Sequence, residues 1–346
     1  MAIVTQLAVQ SIRSHPAKII ELSPRVTVIT GSNGSGKTSL LEALYITLQG
    51  TSFKGSDNEV LRTDAPWWKI DVVFEDEKRT VKFDPTRTSG RKQFVIENHT
   101  YYRLPPKHKY PVVLFEPDDL RLLNGSPSRR RQFIDRFIGQ LNPAYSTTLH
   151  KYERALKQRN NLLKRQFTTN DDLFAWDIAI AEYGAYVIEQ RILFIERINA
   201  RLGETYNEIA HTDDTVSVHY SHTLIGDGKQ KLLNELQASL ARDKALGATT
   251  VGPHRHDVIF KFNQLPALSV ASRGENRTIV LALKFLEVEI IETLTGNKPL
   301  ILLDDVFSEL DESRQNALSD TIREHQIVMT STHVLSNTSQ FRHIEL

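Results

Sequence analysis

The stretch GSNGSGKT, residues 31–38, has the residue types and spacing of a phosphate cradle. Gly31, Ser32, Asn33, Gly34, Ser35 and Gly36 lead into Lys37 and Thr38 in the pattern G-x-x-x-x-G-K-[ST]. Glycines there let successive backbone N–H groups turn inward on an anion, and a helix following the loop aims its positive end at the same point. Lys37 would reach the β- and γ-phosphates of a nucleotide, and the Thr38 hydroxyl would ligate Mg²⁺. The loop needs an acidic partner for that metal, and the candidate lies near the other end of the chain, in PLILLDDVFSELDE, residues 299–312. LILL predicts a buried strand; Asp304 at its end would hold Mg²⁺, directly or through water, and Asp305 would polarise the attacking water. NKPL at residues 297–300 lacks the aspartate of a guanine-specifying N-K-x-D, so ATP is the expected nucleotide.

ASRGENRT, about 30 residues before Asp304, offers a second anion site. Ser272, Arg273, Gly274 and Glu275 stand at the start of a predicted helix, with a hydroxyl, free N–H groups and the positive end of a dipole. The glycine loop already serves its own phosphates, so this segment is expected to meet the nucleotide of another copy. SELD, residues 308–311, follows the acidic strand, and His333 ends the next one, QIVMTSTH.

These residues must be positioned by a chain whose texture changes twice. Residues 1 to about 115 alternate like strands, with one helix after the glycine loop. From Pro127 the pattern is helical. Asn142 is the expected N-cap of one helix, with Pro143 at its first position, and a longer helix is expected over 172–210 despite Gly184 and Gly203. TVSVHY predicts a strand, residues 231–245 a helix, ATTVGPHRHDVIFKF strands, and ENRTIVLALKFLEVEIIETL a long helix. The expected division is an N-terminal lobe over 1–126, a helical arm over 127–246 and a C-terminal lobe over 247–346, an α/β domain split in sequence around an insertion.

Bulk composition excludes some chemistries. There are no cysteines, hence no disulfides, thiolate metal sites or cysteine nucleophiles. The histidines show no pair at metal spacing within a helix. No basic segment precedes the short apolar stretch at the N-terminus, and no run approaches the ~18 apolar residues of a membrane span, so a soluble, cytoplasmic protein with no membrane partner is expected.

The overall charge is near balance, with 43 Lys and Arg against 42 Asp and Glu, so its distribution has to decide on nucleic acid. Residues 129–165 hold ten Lys and Arg and two acids. On a helical projection Tyr145, Leu149, Tyr152, Leu156 and Leu163 share one arc, and Lys151, Arg154, Lys157, Lys164 and Arg165 the other. With Arg129, Arg130 and Arg131 they are the candidate DNA contacts, to backbone phosphates only, since no recognition helix or stacking platform is evident. Arg159 falls in the apolar arc and is expected to form an internal ion pair. A second excess, residues 87–109, has six Lys and Arg against one Glu. For Trp67 and Trp68, after a proline, core packing and a contact surface both stay open.

Glycine loop, helix-start signature, acidic strand, SELD turn and terminal histidine, in that order, resemble ATP-binding-cassette heads, in particular the SMC-like class whose halves are separated by a helical arm. FEPDDLRLLNGSPSRRRQFID, LNPAYSTTLHKYERALKQRNNLLK, TTVGPHRHD, SRGENR and LLDDVFSELDESR extend the likeness over most of the chain to the RecF family of bacterial recombination mediators. The arm segment is its most specific part, since other cassette ATPases lack it. The resemblance implies an ABC/SMC-type P-loop ATPase head assembled from N- and C-terminal segments, with an inserted helical arm domain. It implies an ATP- and Mg²⁺-dependent homodimer that binds duplex DNA and duplex–single-strand junctions, hydrolyses ATP slowly, and works with RecR and RecO in gap repair and replication restart. Residues 272–275 would then act in trans, Arg13 and Asp311 would join the nucleotide contacts, and His333 would join Asp305 and Lys37 in hydrolysis. Asp305 stands where many cassette ATPases have glutamate, one methylene longer, which implies weak turnover. Lys54, His256 and His333 depart from the family pattern.

Two other readings compete. In one, ATP is structural and the basic face binds an acidic protein, making the chain a non-catalytic adaptor. In the other, the chain is the ATPase of a nuclease-type system, for which 346 residues are expected to leave no room for the nuclease.

Overall fold

Continuous apolar runs build one sheet and alternating runs another. VTVIT (β3, Val26–Thr30), VVLF (β8, Val112–Phe115), LILL (β12, Leu300–Leu303) and IVMTS (β13, Ile327–Ser331) are buried along almost their whole length. Strands covered on both faces have this composition and favour parallel pairing. With β14 (Arg342–Glu345) they form a five-stranded parallel sheet in the order β14-β3-β13-β12-β8. Thus β13 lies between the strand that enters the glycine loop and the strand that ends at Asp304.

Alternation governs the second sheet, where β4 (Trp68–Phe74) buries Trp68, Ile70, Val72 and Phe74 and β5 (Lys78–Phe83) buries Arg79, Val81 and Phe83. Together with β1 (Val4–Ile12), β2 (His15–Glu21), β6 (Gln93–Ile96) and β7 (His99–Tyr101) they make a six-stranded antiparallel sheet, β2-β1-β4-β5-β6-β7. The loop helix, α1 (Lys37–Gln49), is buried at every residue except Thr38. It lies within one core in which Leu40, Leu44 and Leu48 join Ile70, Val72 and Val81 of the antiparallel sheet and Leu300, Leu302 and Val328 of the parallel sheet. Each such side chain stabilises by about 1.5–3 kcal/mol when fully buried, and a helix apolar all round is one with neighbours on every side. Two further helices, α2 (Asp57–Val60) and α11 (Glu312–Thr321), lie in the same part of the chain.

The structure is a computed structural model and describes residues 3–87, 90–165, 169–223, 226–332 and 341–346. Its backbone divides into two compact units, Met1–Asp119 with Glu287–Leu346, and Leu120–Leu286. The second is mainly helical: α3 (Pro127–Leu141), α4 (Pro143–Leu163), α5 (Asn170–Asn199), α6 (Leu202–Ala210), α7 (Gly228–Ala238), α8 (Leu240–Leu246) and α9 (Ala267–Val270). A small antiparallel sheet, β11-β10-β9, joins β9 (Val216–Tyr220), β10 (Val258–Phe262) and β11 (Leu265–Pro266). The boundary falls inside α10 (Arg273–Thr295). Pairing of β10 with β9, and of Asp257 with Arg130, ties the stretch after residue 246 to this unit.

Asn142 caps α4 by accepting from the N–H groups of Ala144 and Tyr145. Gly184 lets α5 approach its neighbours: a Cβ there would lie 2.7 Å from Leu232 Cδ2 and 3.2 Å from Tyr152 Cε2. The helix expected over 172–210 is two, because Arg201 (φ −130°) leaves helical geometry before α6 begins. The one expected over 231–245 is also two. At its junction Ser239 donates to Leu236 O (3.1 Å) and Asp243 Oδ2 (3.1 Å), a side-chain alternative to the helical ladder. Residues 254–256, read as strand, precede β10 instead: 254 and 255 are in a turn, where Arg255 bonds Thr249 O and His254 bonds the Tyr152 hydroxyl at 2.6 Å. Among the described residues no helix is long and apolar enough to cross a membrane.

Candidate nucleotide and nucleic-acid sites

Gly34 (φ 84°) and Gly36 (φ 96°) carry the loop through left-handed backbone conformations. A Cβ on Gly36 would also lie 2.3 Å from His15 Nε2, so any larger residue there would displace the His15 ring. His15 Nε2 sits 3.1 Å from Gly36 O. Ser32, Asn33 and Gly34 are exposed, while Lys37 is buried. Its ammonium is held by Gly31 O (2.9 Å) and Ser32 O (3.2 Å) and lies 3.8 Å from Asp305 Oδ2.

The acidic strand meets this loop. Thr38 Oγ1 donates to Asp304 Oδ1 at 2.7 Å. Adjacent ligands of an octahedral Mg²⁺ stand about 2.9 Å apart, so these two oxygens fit a shared cation. Thr330 on β13 completes the arrangement: its hydroxyl accepts from Asp305 N–H (2.8 Å) and donates to Asp304 Oδ1 (3.1 Å). Lys54 Nζ lies 3.6 Å from Asp304 Oδ2. Asp305 adopts a left-handed conformation (φ 52°), uncommon for a residue with a side chain. Its Oδ1 is buried with no hydrogen-bond partner among the described residues, the state expected of an oxygen kept for a water or substrate. Burial pushes the Asp305 carboxyl above the usual aspartate value; Lys37 opposes this and Asp304 adds to it.

Arg13, also left-handed (φ 49°), donates from one edge of its guanidinium, Nε and Nη2, to both carboxylate oxygens of Glu42 of α1, at 2.9 and 2.8 Å. Glu42 is 1% exposed and also accepts from Ser52 Oγ, which in turn accepts from Lys54 N–H at 2.9 Å. Arg13 and Lys54 are therefore linked through one buried carboxylate. Sequence reasoning did not single out His15, Glu42 or Thr330. The available signal was polarity in an apolar setting: Glu42 in an apolar helix, Thr330 in a wholly buried strand.

Residues 272–275 belong to the second unit. Ser272 and Glu275 form a capping box, with Ser272 N–H donating to Glu275 Oε2 (2.5 Å) and Glu275 N–H to Ser272 Oγ (3.2 Å). Two of the N–H groups expected to be free are thus taken, while the side chains of Ser272 and Arg273 stay exposed. Asp311 caps α11 and accepts from Arg314 N–H at 3.0 Å. Ser308 Oγ donates to Asp305 O (3.0 Å), which ties the SELD turn to the acidic pair. His333 lies outside the described residues.

On α4, Lys151, Arg154 and Lys157 are exposed, as are Lys164 and Arg165 just after it. Tyr145, Tyr152 and Leu163 are buried on the opposite arc. Arg159 is fully buried between Asp177 (2.5 Å) and Asp243 (2.7 Å), the internal ion pair its position implied. Arg130 departs from the expectation of a DNA contact. It is buried, bidentate to Asp257 at 2.9 and 2.7 Å, and bonded to Leu123 O and Gly125 O, so its charge is spent inside the fold. Arg131, half-buried, donates to His256 O at 2.6 Å, and Arg129 is half-buried near the start of α3, where Ser126 accepts its N–H. His256 stacks on His222 at 4.3 Å, and burial, with His222 next, pushes it down to about 3.

A parallel sheet in which loop-bearing and acid-bearing strands flank a third, an antiparallel sheet sharing the core of the loop helix, and a helical insertion define an SMC-type P-loop ATPase head. The family model described as "RecF/RecN/SMC N terminal domain" matches residues 3–344. The DNA replication and repair protein RecF of Alkaliphilus oremlandii (strain OhILAs) is 33% identical over 345 residues, 95% of this chain and 93% of that protein. Two solved structures of the recombination mediator protein RecF in RecFOR pathway, RecF-ATPrS and RecF-ATP, align with TM-scores of 0.87 and 0.85. Both are 28% identical and cover 96% and 97% of this chain and 93% of theirs. The chain belongs to the RecF family.

Proposed function

We propose that this protein is an ATP-switched DNA-binding protein of recombinational gap repair and replication restart, acting in the cytoplasm. The observation that carries the reading is the 2.7 Å contact between Thr38 and Asp304, with Asp305 beside Lys37. The names of its relatives, DNA replication and repair protein RecF and RecF-ATP, support it. ATP with Mg²⁺ would supply a phosphoanhydride whose charge the cation offsets. The chain's own residues do the rest. N–H groups of residues 31–36 and Lys37 hold phosphate oxygens, Thr38 and Asp304 hold the cation, and the unpartnered Asp305 Oδ1 orients a water and takes its proton. With one methylene less than glutamate, Asp305 reaches that water poorly, so hydrolysis is slow and times a switch.

Residues 272–275 serve the nucleotide of a second copy, so ATP drives homodimerisation. Duplex and junction DNA lie by their phosphates on the face of Lys151, Arg154, Lys157, Lys164 and Arg165, with Arg129 beside it; RecR- and RecO-type mediators are the partners. Measuring duplex affinity between 50 and 200 mM salt, with and without ATP·Mg²⁺, tests this. Affinity should fall steeply with salt and rise with ATP; a flat profile would favour a protein-binding adaptor.

A further inference from the structure

Trp67 and Trp68 are adjacent in sequence and opposite in fate. Trp68 is 0% exposed, stacks on Phe83 with centroids 5.6 Å apart and donates its indole N–H to Asp57 O at 3.0 Å. Trp67, just before β4, is 41% exposed. It stands at a cleft of about 400 Å³ whose walls include Lys69, Lys82, Asp84, Arg87 and Arg91. None of these belongs to the glycine loop, the acidic strand or the basic face of α4.

The charges of the cleft are poorly balanced. Lys69 of β4 and Lys82 of β5 are direct cross-strand partners, and like charges so placed repel. Lys69 is relieved by Asp71 Oδ2 at 2.5 Å, whereas Lys82 has no carboxylate partner among the described residues. Arg87 reaches Asp84 only at 3.5 Å, and its side chain is 83% exposed. A partly exposed indole beside several cations suits a ligand that offers a flat π-system and negative charge together. That combination is one unit of a nucleic-acid strand. The base must be unpaired, because a duplex keeps its base faces stacked on one another and offers a protein only their edges.

We infer that this cleft binds single-stranded nucleic acid, one base stacking on Trp67 and the flanking phosphates resting on Lys82 and Arg87. It rests on the reading above only in taking nucleic acid as the ligand. Together the two surfaces give the protein separate contacts for paired and unpaired segments.

The test is titration of the full-length protein with a short oligothymidylate, a blunt duplex and AMP, followed by tryptophan fluorescence and by anisotropy of the labelled DNA. Oligothymidylate should quench the parent protein. Trp67→Ala should weaken the oligomer roughly 5- to 100-fold and leave the duplex unchanged, while Trp67→Phe recovers most of the affinity. Lys82→Ala with Arg87→Ala should flatten the salt dependence for the oligomer by roughly 0.7 per lost phosphate contact. The inference is overturned if Trp67→Ala binds the oligomer as tightly as the parent, or loses duplex and oligomer alike. It is also overturned if AMP quenches as well as the strand, which would make the cleft a mononucleotide site. A failure of the duplex reading is distinguishable: it appears as duplex affinity that alanine at Lys151, Arg154 and Lys157 does not change, with the Trp67 effect intact.

Discussion

Thr38 in the first turn of α1 donates a 2.7 Å hydrogen bond to Asp304, a residue 266 positions later. The bond closes the two halves of a split domain on one another at the point where a cation would be shared. Thr330, on the strand between them, fixes both members of the acidic pair through a single hydroxyl. Thr330→Val would leave the Asp305 N–H without its partner, a penalty of about 1–3 kcal/mol. Calorimetric titration should show ATP·Mg²⁺ bound roughly tenfold more weakly, with little change for ATP in EDTA. Equal losses in both would mean that Thr330 supports the loop rather than the cation site.

Asp305 is expected to act as the base for an attacking water. Asp305→Asn should lower turnover by roughly 10²- to 10⁴-fold while ATP still binds, and the parent's kcat should stay well below the ~10 s⁻¹ ordinary for enzymes. Since its carboxyl is pushed up by burial, it takes a proton at higher pH than a typical aspartate. The base works only when ionised, so kcat/KM, which reports the groups of the free enzyme, should decline as pH falls through that raised value. An acid limb at or below the ordinary aspartate range would remove Asp305 from the role.

Arg159 is fully buried against Asp177 and Asp243. Arg159→Met strands two carboxylates inside the helical unit and should cost about 3–5 kcal/mol in denaturant unfolding at neutral pH. Burial already holds the Asp177 carboxyl above its usual value, with Arg159 opposing. Without the arginine the Asp177 carboxyl should rise further, so the folded state takes up a proton there more readily than the unfolded one. The variant should therefore recover part of its stability as pH falls through that raised value, and a loss constant with pH would contradict this.

Alanine at Lys151, Arg154 and Lys157 should reduce the slope of log affinity against log salt for duplex DNA by roughly 0.9 per residue, with unfolding unchanged. Arg130→Ala should do the reverse, destabilising the fold by leaving Asp257 unpaired and moving the salt slope little. Should Arg130 govern the slope instead, the basic face has been put on the wrong surface.

The strands LILL and QIVMTSTH of the parallel sheet were legible because strands covered on both faces need continuous apolar runs, and the phosphate loop because its glycines and Lys37 have few alternatives in that order; β14, polar and exposed, was not. The basic face of α4 followed from periodicity. Arg130 did not, because nothing local distinguishes an arginine aimed at solvent from one that meets Asp257, 127 residues away. Thr330 was hidden for the same reason: its role depends on β13 lying between β3 and β12, a strand order that no single segment encodes. Helix breaks at Arg201 and Ser239 involve residues common inside helices, and neither announces a stop.

The central claim is that ATP joins two copies through residues 272–275. Sedimentation velocity of the protein with a labelled duplex–single-strand junction, with ATP·Mg²⁺ and without nucleotide, tests it most directly. The account predicts a complex of two protomers on DNA that forms only with ATP and is abolished by Ser272→Arg, whose longer, charged side chain stands at the exposed start of α10. A species that stays monomeric with ATP, or a dimer indifferent to Ser272→Arg, would contradict it.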